Sequence, residues 1–176
     1  AWRCGRAAGP ARVNEPFRVV TEPGARAAQE MRIAPHELEI VERNPKAGLE
    51  VSVRYFTLPG CAYAALARTL VITNTSSKPV DLEVLDGMIA MLPCGVNNWF
   101  MKEMSRTIEA WMTVEEEAGV SLFKLSTDPR DTSDVAFVKG ANFYRSFQEG
   151  GKSAGSQVIV DPRRIFGQVT DHSVPV

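Results

Sequence analysis

The sequence predicts a mainly β protein, an antiparallel β-sandwich with little helix, and three observations carry that prediction. Leu49, Val51, Val53 and Tyr55 alternate with Glu50, Ser52, Arg54 and Phe56, the period-2 pattern of a strand with one buried face. Two more β-rich runs, Leu66–Asn74 and Val80–Asp86, flank Thr75-Ser76-Ser77-Lys78-Pro79, whose small polar residues and proline suit a turn, so the pair reads as a β-hairpin. Along the chain roughly nine or ten such runs recur about every 8–12 residues between turn signals, the spacing of an all-β sandwich.

The elements follow in order. Ala1–Pro16 shows no periodicity and reads as an N-terminal arm or edge (residues 1–16), leaving residues 17–176 as a single β-sandwich domain. Phe17–Glu22 reads as a short strand stopped by Pro23-Gly24, and strands are expected on both sides of Pro35. Asn44–Gly48 is a turn, and Leu49–Phe56 is the clearest half-buried strand, ending before Pro59-Gly60. In the next run Leu66, Leu70 and Ile72 share one face while Ala67, Thr69 and Val71 leave the other only mildly polar, which predicts an interior strand. Pro79 has no N–H to donate and suits the start of the following strand.

Beyond it, Met88–Leu92 is apolar on both faces and calls for cover from two directions, which predicts self-association. Asn97–Ser105 reads as a short helical turn, Thr107–Val114 as a strand and Glu115–Gly119 as a solvated turn. Further strands are expected at Val120–Ser126, Val135–Lys139, Phe143–Phe147 and Val158–Val160, with a flexible Gly150–Ser156 between the last two.

Composition excludes several functions. Twenty Lys and Arg against 21 Asp and Glu provide no positive field for nucleic acid or an anionic membrane. No apolar run approaches the ~20 residues of a membrane helix. Cys4, Cys61 and Cys94 are odd in number and scattered, which suits free thiols in a reducing compartment and predicts a cytoplasmic protein.

Candidate chemistry is sparse. Gly151-Lys152-Ser153-Ala154-Gly155 matches G-x-S-x-G, with Asp161 and His172 following in triad order, but the strand-to-helix turn that the motif requires is missing from the pattern. Gly151-Lys152-Ser153 also resembles the end of a P-loop, yet Ser146 stands where its first glycine belongs. Asn74-Thr75-Ser76 fits a glycosylation acceptor and reads better as the hairpin turn. His36 and His172 are the only histidines and no ligand spacing occurs, so neither metal nor cofactor is expected. Glu103, Glu109 and Asp134 read as surface charges rather than a glycosidase pair. Trp99, beside Asn97 and Asn98, is a better candidate for sugar stacking than Trp111.

Five segments in order, YFTLPGCAYAALARTLVITNTSSKPVDLEVLDGM (Tyr55–Met88), LPCGVNNW (Leu92–Trp99), EAWMTVE (Glu109–Glu115), KGANFYRSF (Lys139–Phe147) and VDPRRIFG (Val160–Gly167), resemble the N-terminal domain of the cellobiose-phosphorylase-like family. That family includes disaccharide phosphorylases and the phosphorylase-like part of cyclic glucan synthases. The resemblance implies a sandwich of the galactose-mutarotase-like (supersandwich) type ahead of an α-helical barrel that holds the catalytic acid and phosphate site. It implies a truncated or reduced sandwich without catalytic residues of its own, supporting a barrel partner and subunit contacts in a homo-oligomer. Asn97, Asn98, Trp99, Asn142 and Tyr144 lie near the matched motifs and combine amides with aromatic faces, the mixture that sugars favour, so they are candidate contacts to an oligosaccharide or to the barrel.

Far-UV circular dichroism checks the fold class: a strand-dominated spectrum is expected, with helix well below the roughly one-third average of globular proteins.

Overall fold

The computed structural model describes residues 2–5, 12–18, 27–88, 91–130, 132–149 and 158–168. Strands make up 42% and helix 12% of them, and the paired strands run antiparallel, so the mainly β class holds. The chain divides at Asp86/Gly87 into two compact units.

In the first unit, strands β1 (Trp2–Gly5) and β2 (Arg12–Asn14) lie where an arm is expected. They are followed by β3 (Ala28–Ala34), β4 (Glu37–Asn44), β5 (Leu49–Thr57), β6 (Leu66–Asn74) and β7 (Asp81–Val84). One sheet has the order β3-β4-β5-β6 and the other β2-β1-β7. Register and the alternation of side chains assign the faces of the larger sheet. Met31, Ile40, Val53 and Leu70 form one cross-strand row, and Ile33, Leu38, Tyr55 and Arg68 the next. Val51 and Val53 are the buried centre of this face, packed with Phe17, Ile40, Tyr55, Leu70 and Ile72. Each buried valine contributes on the order of 1.5–3 kcal/mol relative to an exposed one.

The opposite face carries the charges. Arg32 reaches Glu30 and Glu39 at 2.9 Å each, Arg43 reaches Glu50 at 2.7 Å, and the Ser52 hydroxyl donates to Glu39 at 2.8 Å. The Arg32 hydrogen bond holds the Glu30 carboxyl below its ordinary range, and the Ser52 hydroxyl and Arg32 do the same for Glu39. Their contribution is therefore complete at neutral pH and is lost only on acidification. Val41 and Glu42 sit opposite to this division of labour. Val41 is buried on the charged face, whereas Glu42 is buried on the apolar one, where its carboxylate accepts the Phe17 N–H at 2.5 Å and the Gln29 amide at 2.9 Å. That bond holds Phe17 in a left-handed conformation, φ 65°, which for a bulky residue costs about 1–2 kcal/mol.

Strand β6 has the predicted bounds, but the predicted hairpin and interior position do not occur among the described residues: there β6 pairs with β5 and ends the sheet, while β7 pairs with β1. The polar turn between them does form, with the Asn74 Oδ1 accepting from the Ser76 N–H and hydroxyl. It also docks against the β4–β5 turn, where the Thr75 N–H donates to the Gly48 carbonyl at 2.8 Å, and so the chain leaves β6 without doubling back. Phe17 lies in a turn rather than a strand, and residues 19–22 fall outside the described residues.

In the second unit, the residues of Met88–Leu92 that are described, Met88, Met91 and Leu92, are not in a strand, and Ile89 and Ala90 fall outside the description. Helix α1 (Asn98–Glu103) occupies the predicted helical turn. The strand expected over Thr107–Val114 is instead a 3₁₀ helix at Ser105–Trp111 that buries Ile108, followed by β8 (Met112–Glu117). β9 (Val120–Leu125) and β10 (Asn142–Tyr144) complete the order β10-β9-β8. The turn expected at Glu115–Gly119 shrinks to Ala118-Gly119, both at positive φ (49° and 76°), so the three glutamates pair as strand. Two residues of this conformation match the twist of the flanking strands and no longer loop is needed.

Val135–Lys139 contributes one isolated bridge, Thr127 to Phe137, and the Phe143 run shortens to β10. Val158–Val160 is not a strand and leads into helix α2 (Arg163–Phe166). Asp161-Pro162 ahead of it is a helix-start signal that the strand reading overlooked. Gly150–Ser156 falls outside the described residues.

Leu125 is the centre of this unit, fully buried with Phe100 and Ile108, and Val96, Met104, Trp111, Met112 and Val138 close around it. Gly95 has φ 96°, and a Cβ there would stand 3.0 Å from Val138 and 3.5 Å from Leu125. Gly95→Ala should therefore destabilise the protein by more than about 1 kcal/mol. Ala118→Asn, which suits positive φ, should stabilise it by roughly 0.5–1 kcal/mol. Thermal melts of the two variants check the opposite signs.

Candidate functional site

Helix α1 begins because Asn97 is extended (φ −122°, ψ 172°) and its Oδ1 accepts the Phe100 N–H at 2.9 Å, the bond of an N-cap. Capping turns Phe100 into the core beside Leu125 and leaves the first turn of the helix at the surface. Asn98 is exposed there, and Trp99 is 57% exposed with its ring edge-on to Phe100, centroids 5.4 Å apart.

Asn142 and Tyr144 occupy β10, where the register sets them opposite Phe123 and Ser121 of β9. Their side chains share the sheet face of Leu125, since alternate residues of paired strands point to one side. The Asn142 amide donates to the Leu92 carbonyl at 2.7 Å. The chain at Leu92–Val96 thereby extends the β10 side of β9: the Cys94 N–H donates to the Phe123 carbonyl at 3.0 Å and the Cys94 carbonyl accepts from Leu125 at 2.9 Å. Tyr144 is half-buried, and its hydroxyl lies 3.8 Å from where a Cβ on Gly87 would stand.

The five sequence-predicted residues thus form two groups, Asn97 to Trp99 on α1 and Asn142 with Tyr144 on β10, both leading back to the segment Leu92–Val96. Two of the three amides are committed to backbone groups of the protein itself. At the surface lie the Trp99 ring and the Asn98 amide, with Asn97 and Asn142 also exposed.

The alternative residues separate further. Trp111 packs in the core. Glu103 lies 3.6 Å from Lys102 and Glu109 lies 3.4 Å from Arg106, and Asp134 is exposed. Asp161 accepts from the side chain and backbone of Arg163, which together hold its carboxyl below the usual range, and so it is tied to the start of α2. Ser153 and His172 lie outside the described residues. Cys61 and Cys94 are free thiols. Among the described residues no three His, Cys, Asp or Glu side chains gather as a metal site, and no helix is long and apolar enough to cross a membrane. Comparison of the chain with protein-family models, curated proteins and solved structures finds no match.

Asn97→Ala should cost about 1 kcal/mol by removing the cap, and Asn97→Asp should restore most of it. Trp99→Ala, at an exposed position, should change stability by less than about 0.5 kcal/mol. Denaturant midpoints of the three variants check whether this corner is built around the cap or around the indole.

Proposed function

We propose that this chain is a non-catalytic β-sandwich domain of a cytoplasmic carbohydrate-active enzyme, of the glycoside phosphorylase or hydrolase type, that supports a separate α-helical catalytic barrel and contributes to subunit contacts. The ordered resemblance to cellobiose-phosphorylase-like enzymes motivates this reading. The observation that carries the supporting role over a sugar-binding one is the use of the amides: the Asn97 Oδ1 accepts the Phe100 N–H at the start of α1, and the Asn142 amide donates to the Leu92 carbonyl, so each spends a polar group on the fold itself. Sugar recognition needs convergent polar groups beside an aromatic face, and here Trp99 keeps one amide neighbour, Asn98.

The test combines catalysis, binding and association. With cellobiose and inorganic phosphate the purified chain should release no glucose phosphate. Calorimetric titration with cello-oligosaccharides should give no saturable heat up to ~1 mM. A helical barrel from a cellobiose-phosphorylase-like enzyme, co-expressed with the chain, should co-purify with it. Release of glucose phosphate by the chain alone overturns the supporting role. Micromolar oligosaccharide binding abolished by Trp99→Ala establishes the alternative, a self-contained carbohydrate-binding module.

A further inference from the structure

Among the described residues β3 ends its sheet, and no strand lies on its outer side. Its seven residues, AQEMRIA, present Met31 and Ile33 on the apolar face, 61% and 79% exposed, and Glu30 and Arg32 on the charged face. An exposed strand edge with uncovered apolar side chains is a template for another strand, and natural edges carry charges that forbid most such pairings. Here charge, side-chain facing and strand length together leave one self-pairing register.

We propose that β3 pairs antiparallel with β3 of a second copy of this chain, centred on Met31, to form a dimer through a continuous sheet. In a two-fold antiparallel pair, residues mirror about one centre and directly opposite side chains point to the same face. Centring on Met31 sets Glu30 opposite Arg32 of the second copy and Arg32 opposite its Glu30, stacks Met31 on Met31, and uses the whole strand. Centring on Glu30 places glutamate against glutamate, and centring on Arg32 places arginine against arginine. Centring between two residues brings the charged face of one copy against the apolar face of the other, and centres nearer the ends leave most of the strand unpaired.

The other sheet ends among the described residues lack this property: β6 has no acidic residue to select a register, β7 and β8 carry acidic residues and no basic one, and β2 and β10 are three residues long. The inference does not rest on the carbohydrate reading, because it uses only the edge and its charges.

Sedimentation analysis of the full chain with two charge-reversed variants tests it. The wild type should dimerise at micromolar concentration. Glu30→Arg sets arginine opposite arginine, and Arg32→Glu sets glutamate opposite glutamate, so each alone should raise the dissociation constant about tenfold or more. Mixed one to one, they restore both opposite-charge pairs, and a heterodimer should form. Met31→Lys, which touches no ion pair of the sheet, should also give monomer with an unchanged circular dichroism spectrum, and it serves if a reversed variant fails to fold. A monomeric wild type, a dimer indifferent to these substitutions, or a mixture that stays monomeric overturns the proposal.

Discussion

Strand β5 is the constraint on which the first unit depends. It is hydrogen-bonded on both sides, to β4 over eight residue pairs and to β6 over nine, and its Leu49, Val51 and Val53 are all buried. Because side chains alternate, fixing which residues of β5 face inward fixes the faces of every strand bonded to it, and a slip of one residue would turn the valines outward. The apolar rows and the ladder of Arg32, Glu39, Arg43 and Glu50 on the opposite face are two consequences of one register.

The second unit is held by a different device. Its sheet is small, and its core forms where the chain before α1 runs beside β9, packed closely enough that residue 95 has no room for a side chain. The backbone bonds from Cys94 to Phe123 and Leu125 and the close approach of Gly95 to Val138 are one contact, because the hydrogen bonds draw in a chain that only glycine lets pass. Helix α1 then starts at Asn97 and directs Phe100 onto Leu125.

This explains why a sequence pattern suggestive of ligand recognition has a structural use here. Asparagines beside a tryptophan combine hydrogen-bonding groups with a flat apolar face, which suits a sugar. The same asparagines are also among the best side chains for satisfying the free N–H groups of a helix start, or the carbonyl of a neighbouring irregular segment. Asn97 and Asn142 serve those purposes.

The sequence by itself determined the mainly β class, the bounds of β6, the turn at Asn44–Gly48, the strand at Leu49–Phe56 and the helical turn after Asn97, because each rests on period-2 alternation or on local turn and capping chemistry. It also placed the five candidate residues on two short stretches, although not their uses. Only the tertiary structure decided which strands pair. Residues 66–74 and 80–86 carry the pattern of a hairpin, but propensity names strands and not partners, and β6 buries Leu70 and Ile72 against β5 whatever follows it. It likewise decided the 3₁₀ helix over Ser105–Trp111, where burying Ile108 beside Leu125 outweighs a local preference for strand, and the inward position of Glu42, whose acceptor role depends on Phe17 and Gln29, 25 and 13 residues away. Long-range hydrogen bonds and burial act between residues that no local window contains.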